Sequence, residues 1–287
     1  MSLSDYFELT KPRITPLLVF VAVGSSVVAS RGLPPINVLV GLLLGGTLAA
    51  SGSLSVNSYL EMDIDSKMKR TQTRPLPSHR IIPPRNALAF GLGLLAAGLV
   101  VAYLFLDLAA TLFVALGAIV YIPIYTIFLK PRTSWNIVLG GFAGSCAALA
   151  GWYSVTFANQ AAAWILGALV FVWTPSHFWS LAVLMEEDYT AAGIPMLPSV
   201  VGSQRASKYI VTNTLVLIPV SLLLSLFLGG IGLIIYLGAT LLFDALLLGT
   251  NIRLLRSPTK ENAWLAFKFS APYLAVVFLI AMVGAVV

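Results

Sequence analysis

Nine runs of about 20 apolar residues govern what this chain can fold into, because a stretch of that length matches the hydrocarbon thickness of a bilayer. They fall at about 14 to 30, 36 to 58, 85 to 106, 109 to 129, 135 to 156, 161 to 184, 208 to 228, 231 to 252 and 265 to 286. A lipid-embedded segment must satisfy its own backbone hydrogen bonds, so runs of this kind fold as helices. Composition agrees: the chain is 59% hydrophobic and 10% charged, whereas ordinary soluble domains carry about a quarter charged residues. The expected fold is an all-α polytopic membrane helix bundle, built as a single transmembrane domain over residues 1–287. The first run follows Lys11 and Arg13 and has the outline of a signal peptide. Asp5 and Glu8 in its leader, and an apolar stretch longer than a typical h-region, favour a span instead.

The 17 Lys and Arg residues are segregated by loop. With the N-terminus in the cytoplasm, all but Arg31 lie on the inside, as the positive-inside rule requires. The outer connections are short and almost uncharged: residues 31–35, Asp107, Phe157 to Gln160, and Gly229 with Gly230. The net charge of +6 therefore reads as topology rather than as a nucleic-acid surface. Cys146, the single cysteine, sits in an apolar run, which excludes an internal disulfide framework or a cysteine metal cluster. An integral membrane protein is expected, prokaryotic plasma membrane in type, with its charged chemistry at the cytoplasmic face.

Two polar loops carry that chemistry. The first, about residues 57–84, opens on Asn57, Glu61 and Asp65. Their i, i+4, i+8 spacing puts three hard oxygen donors on one helical face with a drift of about 40° per step. Such a set suits Mg²⁺, which takes few protein carboxylates and completes its shell with water and phosphate oxygens. Lys67, Lys69, Arg70 and Arg74 follow, as a polyphosphate would need. A solvated membrane-flanking loop, with acids that need no partner, explains the same residues.

The second loop, about residues 184–207, carries Glu186, Glu187 and Asp188. At an offset of 127 residues Ser53, Leu54, Val56 and Glu61 are echoed by Ser180, Leu181, Val183 and Asp188, a pattern that short apolar matches also produce by chance. His177 lies inside an apolar run two residues after Pro175, flanked by Trp173 and Trp179. An ionisable group at that depth is by default a functional candidate, against the plainer reading of an imidazole bonded to a neighbouring helix. His79 reads as a wet loop residue. Lys130 and Arg132 either close over a diphosphate or act as stop-transfer charges, and Asn136 needs buried partners. Asp244 is an intramembrane acid with no evident ligand set.

Taken together these segments resemble the UbiA-type intramembrane prenyltransferases. The resemblance rests on N-x-x-x-E-x-x-x-D from Asn57, M-K-R-T at Met68 to Thr71, R-P-L from Arg74, and the second acidic loop. It is closer to the heme O synthase branch through L-T-K-P-R-I at Leu9 to Ile14, Y-T-I-F-L-K-P-R-T-S-W-N-I at Tyr125 to Ile137, W-T-P-S-H-F-W-S-L-A at Trp173 to Ala182, and D-Y-T-A-A-G-I-P-M-L-P at Asp188 to Pro198. These cover the chain through about residue 200, and the remainder adds only spans. Glu61 departs from the Asp more usual there.

The resemblance implies a bundle around a central cavity with cytoplasmic cap loops, and farnesyl diphosphate and heme b as substrates. Asn57, Glu61, Asp65 and Asp188 would hold Mg²⁺ on the diphosphate. Lys11, Arg13, Arg70, Arg74, Lys130 and Arg132 would neutralise the leaving group, while Asn136, Trp173 and Trp179 would line the substrate path. His177 would be the base for water addition to the heme side chain or a heme contact. Membrane lipid surrounds the bundle, and the product could pass to a heme A synthase or a terminal oxidase. Two other readings stand beside it: a sibling enzyme prenylating an aromatic quinone precursor or lipid alcohol, and a secondary transporter, whose coupling residues would lie mid-membrane rather than at one face.

Overall fold

The computed structural model describes residues 3–77 and 81–287, and places them in helices joined by short connections. His79 and Arg80 lie outside the described residues. Seven of the described helices are long and apolar enough to cross a bilayer: Ile36–Leu60, Pro84–Phe105, Leu108–Leu129, Gln160–Leu184, Ser203–Phe227, Gly230–Arg256 and Lys260–Val286. The first expected span forms the shorter helix Thr15–Ser30. The fifth is broken, with Asn136–Gly140 followed at Gly141 by Phe142–Tyr153. A Cβ on Gly141 would press within 3.2 Å of Thr174, so glycine lets this segment lie close to Gln160–Leu184.

The bundle has an inside and an outside. In Ile36–Leu60 and Gln160–Leu184, 56% and 61% of the apolar window is buried, against 17% in Pro84–Phe105 and in Leu108–Leu129. The two innermost of these helices are therefore the two that lead into the acidic loops. The outer helices show Leu104, Leu108 and Ile234 to the surroundings, as a surface facing lipid does. A core of Leu149, Trp152, Leu166, Leu169, Trp173, Leu217, Tyr236, Tyr273 and Phe278 binds the C-terminal helices to Gln160–Leu184.

Close helix contact fixes the position of the first motif. A Cβ on Gly52 would meet the Leu95 nitrogen at 2.4 Å, and one on Gly98 the Ala49 nitrogen at 2.4 Å. Small residues thus let Ile36–Leu60 lie backbone against backbone on Pro84–Phe105, the packing mode that works where lipid supplies no hydrophobic drive. Inside Gln160–Leu184, Pro175 has no N–H to donate and disturbs the turn before it. Asn213 of the next long helix donates its Nδ2 to the Val172 carbonyl at 2.6 Å. That bond ties the turn before Pro175 to its neighbour.

Polar connections gather at one end, where Lys11 reaches Asn57, Lys130 reaches Glu61, and Lys260 reaches Glu187. Arg31, Asn159 and Leu228 meet around one small cavity at the other end. Asp107 there caps the helix that follows it, accepting from the Ala110 N–H at 2.8 Å.

Candidate active site

The first motif is not carried by one unbroken helix. Gly46–Leu60 stops at Glu61, whose φ of −100° and ψ of 5° lie outside the helical region, and Met62–Asp65 forms a separate turn. Backbone bonds from Glu61 N to the Asn57 carbonyl, 3.0 Å, and from Asp65 N to the Glu61 carbonyl, 2.7 Å, nevertheless keep the i, i+4 register across the break. Asn57, Glu61 and Asp65 are all buried, at 2%, 5% and 5% exposure, which removes the solvated-loop reading for these three. The second motif is built the same way. Gln160–Leu184 stops at Met185, with φ −110° and ψ 24°, before the short acidic helix Glu186–Ala191. By this break Glu61 corresponds to Met185, one turn out of step with the sequence echo that pairs it with Asp188.

Each oxygen donor meets a nitrogen donor. Lys130 Nζ lies 2.5 Å from Glu61 Oε1, and Arg74 Nη1 lies 3.0 Å from Asp65 Oδ2. Lys11 Nζ donates to Asn57 Oδ1 at 2.6 Å. The Arg70 backbone N–H donates to Asp188 Oδ2 at 3.3 Å, joining the two loops. Lys11 reaches inward because it adopts left-handed backbone, φ 49°, at the turn between Leu3–Leu9 and Thr15–Ser30. Leu9 anchors that turn against Leu76, Ile82 and Ala87.

The orientation of the Asn57 amide follows from proton bookkeeping. Thr126 Oγ1 donates its one proton to the Tyr121 carbonyl at 2.8 Å, so it can only accept from Asn57 Nδ2, at 3.1 Å. Asn57 Oδ1 therefore faces the site. Thr126 escaped the sequence reading; the signal was Pro123, which sits in the same span. The backbone there winds into a π-helix over Val120–Leu129, a distortion frequent at functional sites. It also stacks Tyr121 on Tyr125, with centroids 5.9 Å apart.

Burial and neighbours tune these groups against each other. Burial alone would push the Glu61 carboxyl up, but the Lys130 and Lys11 ammonium groups and the Asn57 hydrogen bond hold it below the usual range. Burial opposes the charge on Lys130, and Glu61 outweighs it, so that ammonium titrates above its ordinary value. Burial dominates at Lys11 and draws it down to about 8, despite the nearby Glu61.

The other expected site residues are placed differently. Arg13 is exposed, as is Arg70, whose backbone rather than guanidinium makes the recorded contact. Arg132 uses Nη1 to bond the Ile127 and Phe128 carbonyls, at 2.8 and 2.9 Å, and lies over the Phe128 ring, closing the end of its own helix. Asn136 is fully buried, donates to the Thr133 carbonyl at 2.6 Å, and keeps Oδ1 without a partner among the described residues. His177 stacks between Trp173 and Phe267, at 4.4 and 4.7 Å, its Nδ1 buried and unpartnered among the described residues. Trp173 donates to the Ser270 carbonyl at 2.9 Å. Trp179 packs edge-on against Trp135 and Tyr209. Glu186 bonds Ser203 and Glu187 pairs with the exposed Lys260, so these acids tie the loop to later helices.

Comparison with known proteins places this arrangement. The match to the UbiA prenyltransferase family spans residues 17–282. The chain belongs to that family. Protoheme IX farnesyltransferase 1 of Cenarchaeum symbiosum is 45% identical over 283 residues, covering 97% of this chain and 94% of its own length. Protoheme IX farnesyltransferase of Sulfolobus acidocaldarius is 42% identical, covering 98% and 96%. In fold the chain is similar to a digeranylgeranylglyceryl phosphate synthase structure, TM-score 0.78 at 21% identity over 99% and 98% of the two chains. It is also similar to a UbiA homologue from Archaeoglobus fulgidus bound to DMAPP and Mg²⁺, TM-score 0.67 at 15% identity over 96% and 99%.

The donor set of this UbiA prenyltransferase fits a divalent metal of the Mg²⁺ kind. The oxygens of Asn57, Glu61 and Asp65 are hard, buried and matched to cations, and the half-buried Asp188 takes the Arg70 N–H. Among the described residues no three or more His, Cys, Asp and Glu side chains converge as a metal cage. Mg²⁺ is usually held by one or two carboxylates with substrate phosphate completing the shell, and Glu61 with Asp65 supply that number.

Proposed function

We propose that this chain is a protoheme IX farnesyltransferase, moving the farnesyl group of farnesyl diphosphate to a vinyl group of heme b, with addition of water, to give heme O. One observation carries the reading: two buried carboxylates, Glu61 and Asp65, meet Lys130 and Arg74, with Lys11 on the neighbouring Asn57, at the polar end of an apolar bundle. A diphosphate with an isoprenoid tail needs that combination. Near-full-length likeness to relatives named protoheme IX farnesyltransferase supports the acceptor.

In this reading Asn57, Glu61, Asp65 and Asp188 hold Mg²⁺, which when bound supplies Lewis-acid stabilisation of the departing diphosphate. Lys130, Lys11 and Arg74 face the same charge as preorganised donors in a site shielded from bulk water. The C1–O bond of the donor breaks, diphosphate leaves with the electron pair, and the vinyl π-electrons form the new carbon–carbon bond. Water then adds to the cation beside the porphyrin and loses a proton. An alkene nucleophile needs no base, so a base serves only this last step; His177, whose Nδ1 is without a partner among the described residues, is the candidate. Trp173 and Phe267 stack on its ring and hold it in place. The N-terminus and both motif loops lie on the cytoplasmic side of the plasma membrane, where diphosphate is available, and the product passes on to a heme A synthase or terminal oxidase.

The test is to incubate the detergent-solubilised protein with heme b, farnesyl diphosphate and Mg²⁺, with an EDTA control, and to follow pigment mass. A metal-dependent hydroxyethylfarnesyl heme is expected. Unchanged heme b beside a working control enzyme would sink the acceptor assignment and move the search to aromatic acceptors.

A further inference from the structure

The contacts of Lys130 and Lys11 compete with the role assigned to the oxygens they touch. Glu61 Oε1 takes Lys130 Nζ at 2.5 Å, with only 7% and 15% of the two side chains exposed. A metal on that oxygen at about 2.1 Å would stand at most about 4.6 Å from the ammonium, even on opposite sides of it. Like charges that close in a water-poor site repel strongly. Asn57 Oδ1 is in the same position, held by Lys11 Nζ at 2.6 Å and unable to turn away because Thr126 fixes the amide. Lysine is suited to yielding: its ammonium is a point charge on a flexible four-carbon stem, without the directional fork of a guanidinium such as that of Arg74.

We propose that Lys130, with Lys11 in support, and a divalent cation are alternative partners of the first motif, exchanged when a diphosphate binds. Diphosphate draws the lysines off Glu61 and Asn57, which opens those oxygens to the metal, and the metal then adds its own attraction for the diphosphate. Binding of the two is coupled, and by linkage each must raise the other's affinity by the same factor. Lys130 is thus a positioning residue that delays metal capture until the leaving group is in place. The proposal rests on the diphosphate–metal reading above, and not on the identity of the acceptor.

The test uses Mn²⁺ as probe and needs no turnover. Bound Mn²⁺ is measured by loss of the free-ion paramagnetic resonance signal, for the solubilised full chain, with and without inorganic diphosphate, against protein-free samples holding the same diphosphate. Wild-type protein is expected to bind Mn²⁺ at least tenfold more tightly with diphosphate than without. Lys130→Met should bind Mn²⁺ more tightly than wild type when diphosphate is absent and should lose most of the enhancement. Lys11→Met should move in the same direction by less, and decides the matter if thermal unfolding shows that Lys130→Met does not fold. Equal Mn²⁺ affinity with and without diphosphate in wild type, unchanged in both variants, overturns the exchange while leaving the metal site standing. Absence of Mn²⁺ binding to wild type in both conditions overturns the exchange and the metal reading together.

Discussion

Glu61 and Asp244 are both carboxylates buried in an apolar bundle, at 5% and 2% exposure, and they are held in opposite ways. Glu61 meets a long, mobile cation, Lys130, with a second, Lys11, on the neighbouring Asn57. Asp244 meets short neutral donors: Tyr273 Oη at 2.6 Å and Ser221 Oγ at 2.8 Å, with Tyr236 bonding the Ser221 carbonyl at 2.6 Å. Hydroxyls on rigid helices cannot follow a ligand, whereas lysines can. The first arrangement is built to exchange partners, and the second fastens three C-terminal helices together.

The comparison can be broken or sharpened by substitution. The largest effect is expected from Asp65→Ala and Glu61→Ala, each lowering kcat/KM of the folded fraction by about 100-fold or more; chelation with EDTA should match them. Asp188→Ala, acting from the second loop, should cost about 10- to 100-fold, measured in the same heme assay. Asp244→Ala should show the reverse pattern. It leaves the Tyr273 hydroxyl buried without its acceptor, while Ser221 keeps the Ile218 carbonyl at 2.7 Å, at a cost of ~1–3 kcal/mol in unfolding experiments, and the folded fraction should keep its turnover. If it abolishes turnover in protein that is demonstrably folded, the distinction between exchangeable and fixed acids fails. Tyr273→Phe, which removes one hydrogen bond, should cost ~1 kcal/mol. Arg256→Ala alters an exposed side chain at a helix end and should be nearly silent in both measurements.

Much of this was legible in the residues. Apolar run length marked the long helices because bilayer thickness imposes it without reference to any partner. It failed locally where a helix is interrupted: residues 135 to 156 read as one span, yet the helix is interrupted at Gly141, where the segment lies close to Thr174, a contact no local pattern encodes. The i, i+4, i+8 spacing of Asn57, Glu61 and Asp65 foretold their shared face, although the helix stops at Glu61. The cations were visible as a set but not sorted. Arg132 reads like Lys130, two residues away, and only the end of the π-helix turns one onto its own carbonyls and the other onto Glu61.

The sequence by itself determined a membrane-embedded helical bundle with its charged groups at one end, because hydropathy and hydrogen-bond satisfaction act residue by residue. It also pointed to a common face for Asn57, Glu61 and Asp65, a register that the backbone bonds across the break at Glu61 keep. Tertiary structure decided the rest. Lys11 with Asn57, Lys130 with Glu61 and Arg70 with Asp188 are separated by 46, 69 and 118 residues. Pairing at such range is set by how helices pack and how their ends turn. The same physics made Thr126 the arbiter of the Asn57 amide, since one hydroxyl proton can serve only one acceptor.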